Sequence, residues 1–120
     1  MPDMTVPPCR FSRVASDAPL ELLPRDLSAY RQGNCGVEYV HRFDSGVTGP
    51  ALTLVALTHG NELCGANALI YLLEHAIRPT HGVLTLVFAN VSAYQRFDPQ
   101  RPFASRCLDE DMNRLWQAAR

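Results

Sequence analysis

Two spacings of apolar residues succeed one another along this chain, and each change of spacing marks an element. Residues 51–58 (A-L-T-L-V-A-L-T) form a near-continuous apolar run after Gly49-Pro50, the pattern of a strand buried on both faces of a largely parallel sheet. From Asn61 or Glu62 the period changes. Leu63, Ala66, Leu69, Ile70, Leu73 and Ile77 follow a helical stripe, and Pro79 closes the segment. A second apolar strand follows at residues 82–90 (G-V-L-T-L-V-F-A-N). Strand, helix and strand with a crossover of this length predict a right-handed βαβ unit and the α/β class.

The flanking segments are less regular. Residues 37–43 (V-E-Y-V-H-R-F), between Gly36 and the Asp44-Ser45-Gly46 turn, predict a partly exposed strand carrying His41. Residues 1–33 contain Pro2, Pro7, Pro8, Pro19 and Pro24 without sustained periodicity, so they read as an irregular N-terminal arm with one short helical turn near residues 20–23. Residues 34–120 then form the α/β portion. Past Asn90 the chain turns polar and arginine-rich, and residues 93–106 predict a long loop over the sheet. A short helix is expected within residues 109–120.

Composition narrows the chemistry. With 120 residues, 47% hydrophobic and 19% charged, the chain is sized for one globular domain. Eleven basic against 12 acidic residues leave a net charge of -1, which offers no long-range attraction for nucleic acid or an anionic membrane. Every basic residue is arginine, so Schiff-base chemistry and a phosphate-loop lysine are excluded. No window approaches the roughly 20 apolar residues of a membrane span, and the first residues lack a basic-then-apolar leader, so a cytoplasmic location is expected. Cys9, Cys35, Cys64 and Cys107 make no C-x-x-C pair and are expected to stay reduced.

Ligands of open α/β sheets gather beyond the carboxyl ends of the strands, where the first apolar strand delivers Thr58-His59-Gly60-Asn61-Glu62. A histidine and a glutamate at i and i+3 can turn toward one point, and imidazole nitrogen with carboxylate oxygen suits zinc. Gly60 leaves room for the turn and Gly65 for close packing of helix on sheet. H-x-x-E alone recurs by chance. It gains weight from Arg106 and from Asp111-Met112-Asn113-Arg114, which supply a guanidinium fork for a carboxylate, an amide donor and an acid able to orient a metal ligand. His41, His75, His81, Glu74 and Glu110 read as surface polar groups, Cys64 as a small core residue, and Trp116 as a packing anchor. Tyr94, Arg96 and Phe97 fit either a pocket wall or a loop packed on the sheet.

His59-Gly60-Asn61-Glu62, the Gly65-Ala66 pair, a strand ending in Ala89-Asn90, and Arg106 followed by Asp111-Met112-Asn113-Arg114 resemble the succinylglutamate desuccinylase/aspartoacylase family. These are zinc hydrolases related to the zinc carboxypeptidases, and the resemblance spans roughly residues 36–116. It implies a carboxypeptidase-like α/β fold, a mixed and largely parallel sheet with flanking helices, incomplete here at its carboxyl end. It implies Zn2+ held by His59 and Glu62, with Asp111 bonded to His59 behind them. Arg106 would polarise the scissile carbonyl, and Asn113 and Arg114 would hold a substrate carboxylate. The implied reaction is hydrolysis, through a zinc-bound water, of the amide or ester bond of a small N-acyl amino acid-like substrate. The third zinc ligand and the general base lie downstream of the D-x-N-R segment in the family, so the 120-residue chain alone is expected to be inactive and its exposed sheet edges to favour self-association. Two other readings stay open: a non-catalytic metal- or carboxylate-binding module, and a half-site completed by a partner chain.

Overall fold

The computed structural model describes residues 21–116. A 3-10 turn at Ser28–Tyr30 leads to strand β1 (Val40–Asp44), strand β2 (Ala51–Ala56), helix α1 (Leu63–Glu74), strand β3 (Val83–Phe88) and a short helix α2 (Val91–Tyr94). Two more 3-10 turns follow, Pro102–Ser105 and Met112–Arg114. The predicted βαβ unit is present: β2 and β3 pair in parallel, from Ala51 opposite Val83 to Ala56 opposite Phe88. β1 lies antiparallel on the other side of β3, giving the order β1-β3-β2.

The sheet is therefore α/β and mixed, with one parallel and one antiparallel pair among the described residues, rather than largely parallel. β2 also departs from the expected burial on both faces. It is the outer strand of the order, and Leu52 and Val55 are 53% and 49% exposed. The central strand β3 instead alternates, with Leu84, Leu86 and Phe88 buried and the residues between them half-buried. The two registers put Val55, Val87 and Val40 in one row across the three strands. That row belongs to an open face, since alternate residues of a strand point to opposite sides. The covered face packs on α1, where Leu63, Ala66, Leu69 and Ile70 are buried. A Cβ at Gly65 would stand 3.3 Å from that of Ala56, so the close approach of helix and strand expected at this glycine is present.

Several boundaries move for local reasons. β1 begins at Val40 because Tyr39 adopts a left-handed backbone, φ 61°. α1 stops at Glu74, ahead of Pro79, where Ala76 turns left-handed with φ 50° and the N–H groups of Ala76 and Ile77 close on the carbonyls of Leu73 and Leu72. Cys64 is exposed, because it lies off the apolar stripe of α1, so the core role expected for it fails. Trp116, expected as a packing anchor, is 72% exposed. Cys107 is disulfide-bonded, which corrects the expectation of four reduced cysteines; Cys35 and Cys64 are free thiols. Among the described residues no helix is long and apolar enough to cross a membrane.

The predicted helical turn near residues 20–23 begins outside the described residues, and residues 21–23 are irregular. The end of the arm is nonetheless part of the fold. Leu27 is buried in the core, and the Tyr30 ring stacks on Phe88 with centroids 5.9 Å apart. His41 contacts the Tyr30 carbonyl oxygen through Nε2 at 3.1 Å. Tyr94 donates its hydroxyl to the carbonyl of Arg25 at 2.7 Å, and Arg25 itself pairs with Glu74 at the end of α1.

The strand-to-helix turn crosses the later chain at Gly60, whose N–H donates to the carbonyl of Arg106 at 2.9 Å. A Cβ there would come within 2.3 Å of the Ser105 carbonyl oxygen and 2.5 Å of the Ala93 carbonyl carbon. Backbone atoms on both sides cannot step aside. Gly60→Ala is expected to destabilise the fold by about 3 kcal/mol, at the upper end of overpacking costs, read as a lower urea midpoint at unchanged slope. A second expectation concerns acid. The hydrogen bond from Arg25 holds the Glu74 carboxyl below its ordinary range, so its contribution is present above the unfolded-state pKa of about 4.3 and is lost as pH falls through the lower folded value. The melting temperature of Glu74→Gln should lie slightly below that of the wild type at neutral pH and converge with it below about pH 4; a gap that widened in acid would contradict the assignment.

Candidate metal centre

The site begins where β2 ends. A strand continuing to Thr58, as the apolar run predicts, would keep residue 57 on the open face with Ala51, Thr53 and Val55. Leu57 instead has a left-handed backbone, φ 62°, and is 1% exposed within the same core cluster as Ala56. Two consecutive residues face the core, so the alternation of the strand breaks at this point. The conformation costs a non-glycine residue about 1–2 kcal/mol. It is held by the extended ladder beside it, where Ala89 N–H donates to Ala56 O and Asn90 N–H to Leu57 O, both at 2.9 Å. The Asn90 side chain in turn accepts from Ala93 N–H and caps α2.

Past this bend His59 is 4% exposed. Its Nδ1 lies 2.6 Å from Glu62 Oε1 and its Nε2 lies 2.8 Å from Asp111 Oδ1. Glu62, the residue just before α1, folds its carboxylate back, and Oε2 accepts from the His59 backbone N–H at 3.3 Å. Asp111 precedes the turn Met112–Arg114 and caps it, accepting from Asn113 N–H at 2.9 Å. Arg106 Nη2 stands 3.6 Å from Asp111 Oδ2. The hydrogen bond from His59 holds the Asp111 carboxyl below its ordinary range, and the Asn113 N–H and the charge of Arg106 act in the same direction against its partial burial.

A neutral imidazole carries one N–H. Each ring nitrogen of His59 stands within hydrogen-bond distance of a carboxylate oxygen, at 2.6 Å and 2.8 Å, so two acidic side chains flank one imidazole. Asp111 is fixed by two further donors, Asn113 N–H and Arg106, while His59 Nδ1 and Glu62 Oε1 face each other across the turn. Nitrogen and oxygen converging on one point suit zinc. Among the described residues no group of three or more His, Cys, Asp or Glu side chains is placed to hold a metal; His59 and Glu62 offer two donors of the kind zinc takes.

Of the residues singled out in the sequence, His59, Glu62, Asp111 and Arg106 come together. Asn113 and Arg114 are exposed; Asn113 joins the group through its backbone N–H, and Arg114 donates to the carbonyl of Asn113 at 3.3 Å. A cavity of about 350 Å3 lies beside this segment, lined by Asn90, Leu108, Asp109, Glu110, Met112 and Leu115. None of the ligand or anchoring residues lines it. His75 and His81 stay on the surface, as expected, whereas Tyr94 is core. Sequence reasoning missed Leu57 altogether, since a leucine in an apolar run signals nothing but strand.

The sequence model of the succinylglutamate desuccinylase/aspartoacylase catalytic domain matches residues 48–119. No curated protein and no solved structure gives a significant match. The matched stretch takes in β2, α1, β3, the His59–Glu62 pair and the segment from Arg106 to Arg114, more than half of the chain, and on that ground the chain belongs to the succinylglutamate desuccinylase/aspartoacylase catalytic domain family.

Proposed function

We propose that this chain provides the metal-anchoring and carboxylate-anchoring part of a zinc-dependent hydrolase that cleaves the amide or ester bond of a small N-acyl amino acid-like substrate. The observation that carries the reading is His59 held between Glu62 and Asp111, its Nδ1 2.6 Å from Glu62 Oε1 and its Nε2 2.8 Å from Asp111 Oδ1. Membership of a family of hydrolases supports it. His59 and Glu62 would hold zinc, which when bound supplies Lewis acidity and lowers the pKa of a coordinated water to about 7. Asp111 keeps the His59 ring in one tautomer and orientation, the usual task of a carboxylate behind a metal-bound histidine.

Arg106 is restrained by Asp111 and is partly exposed, which suits a guanidinium that must meet the oxygen of a scissile carbonyl as charge develops on it. Asn113 and Arg114, exposed beside it, offer an amide donor and a planar fork to a substrate carboxylate. A second reading, a metal- or carboxylate-binding half-site that a partner chain completes, is favoured by one observation: two convergent donors with no third among the described residues. Both readings share the same ligand pair and differ in where the third donor and the base come from.

Zinc titration by calorimetry should show one site in the wild type, no site in His59→Ala, and a loss of about 10–100-fold in affinity in Asp111→Ala. Absence of binding tighter than about millimolar in both the wild type and Glu62→Ala would sink the ligand assignment. Two protein donors hold zinc weakly, so the chain by itself is expected to hydrolyse N-acyl amino acids negligibly. Zinc-dependent turnover that survives His59→Ala would refute that account.

A further inference from the structure

We propose that Leu57 is a positioning residue for the metal centre, whose left-handed backbone turns His59 toward Asp111 and Glu62; the inference rests on the zinc reading above. The argument starts from parity. In β2 the odd-numbered residues Ala51, Thr53 and Val55 are all exposed, and an uninterrupted strand would send residues 57 and 59 to that same open side. Leu57 with φ 62° breaks the alternation, and both Leu57 and His59 end buried, at 1% and 4% exposure. The bend falls two residues before the ligand and one residue after the last paired position of β2.

The conformation is built rather than incidental. Asn90 N–H holds the Leu57 carbonyl at 2.9 Å, and the side chain is among the largest of the fully buried ones. The leucine side chain fills the core while the backbone takes a conformation that leucine seldom adopts. Those two roles respond to different substitutions, which makes them separable. Glycine and asparagine accept φ above zero readily but lose the apolar side chain. Valine and isoleucine keep most of the apolar volume, but their branched Cβ makes a left-handed backbone a true outlier.

The test uses the whole chain and three readouts: zinc affinity by calorimetry, the urea midpoint, and the NMR signal of the His59 Nε2 proton bonded to Asp111, which needs no metal. Leu57→Gly and Leu57→Asn should lower the urea midpoint substantially yet keep the zinc dissociation constant within about threefold of wild type and retain the imidazole proton signal. Leu57→Val and Leu57→Ile should lower the midpoint less while weakening zinc about tenfold or more, the scale seen when a ligand loses its orienting partner, and broaden or abolish the proton signal. Two variants of each kind keep the comparison decisive if one fails to fold. Affinity and proton signal that follow buried volume, best in Leu57→Val and worst in Leu57→Gly, would overturn the inference. A wild type that binds no zinc defeats the proposed function instead, and the imidazole proton alone then decides the role of Leu57.

Discussion

The parallel pairing of β2 with β3 is the constraint on which the remainder rests. Its ladder runs from Ala51 beside Val83 to Ala56 beside Phe88 and continues for two more hydrogen bonds beyond the regular strands, from Ala89 to Ala56 and from Asn90 to Leu57. Those last bonds fix where β2 stops and how the chain leaves it. They also begin α2, because Asn90 caps that helix, and α2 places Ala93 against Gly60. One pair of strand ends therefore sets the entry to the candidate site from both sides.

The centre itself joins a local motif to a distant one. His59 and Glu62 are neighbours across a single turn, whereas Asp111 arrives from 52 residues away over a path pinned by the bond from Gly60 N–H to Arg106 O. The glycine is demanded by that crossing: any side chain would strike the backbone of Ser105 or Ala93. Carboxylates then stand at both ring nitrogens of His59, one from the adjacent turn and one from the distant segment.

Much of this was legible in the sequence. The βαβ order, the stripe from Leu63 to Ile70 and the glycine at the helix-sheet contact follow from periodicity and turn chemistry, whereas the grouping of His59, Glu62, Arg106 and Asp111 is what the family resemblance implies. What was not legible depends on neighbours that a one-dimensional pattern does not name. An apolar run reads alike in a central and an outer strand, so β2 gave no sign of its open side. Leucine favours strands and helices, so no local signal marked the left-handed bend at Leu57. The exposure of Trp116 and of Cys64 likewise turns on what packs nearby and not on residue type. The stop of α1 at Glu74, just before the left-handed Ala76, is a backbone event for which Pro79 was only a distant proxy.

The separation of His59 from Asp111 bears on linkage between metal and folding. A ligand stabilises a fold only by the difference between its affinities for the native and unfolded chains. His59 and Glu62, three residues apart, remain close in an unfolded chain and can still offer zinc two donors, whereas Asp111 reaches the imidazole only in the native arrangement. On the proposed reading, zinc would stabilise the fold not by its whole binding energy but chiefly by the part that the Asp111 contact and the bend at Leu57 would add. The orienting acid, which would never touch the metal, is the residue through which the metal would sense that the chain has folded.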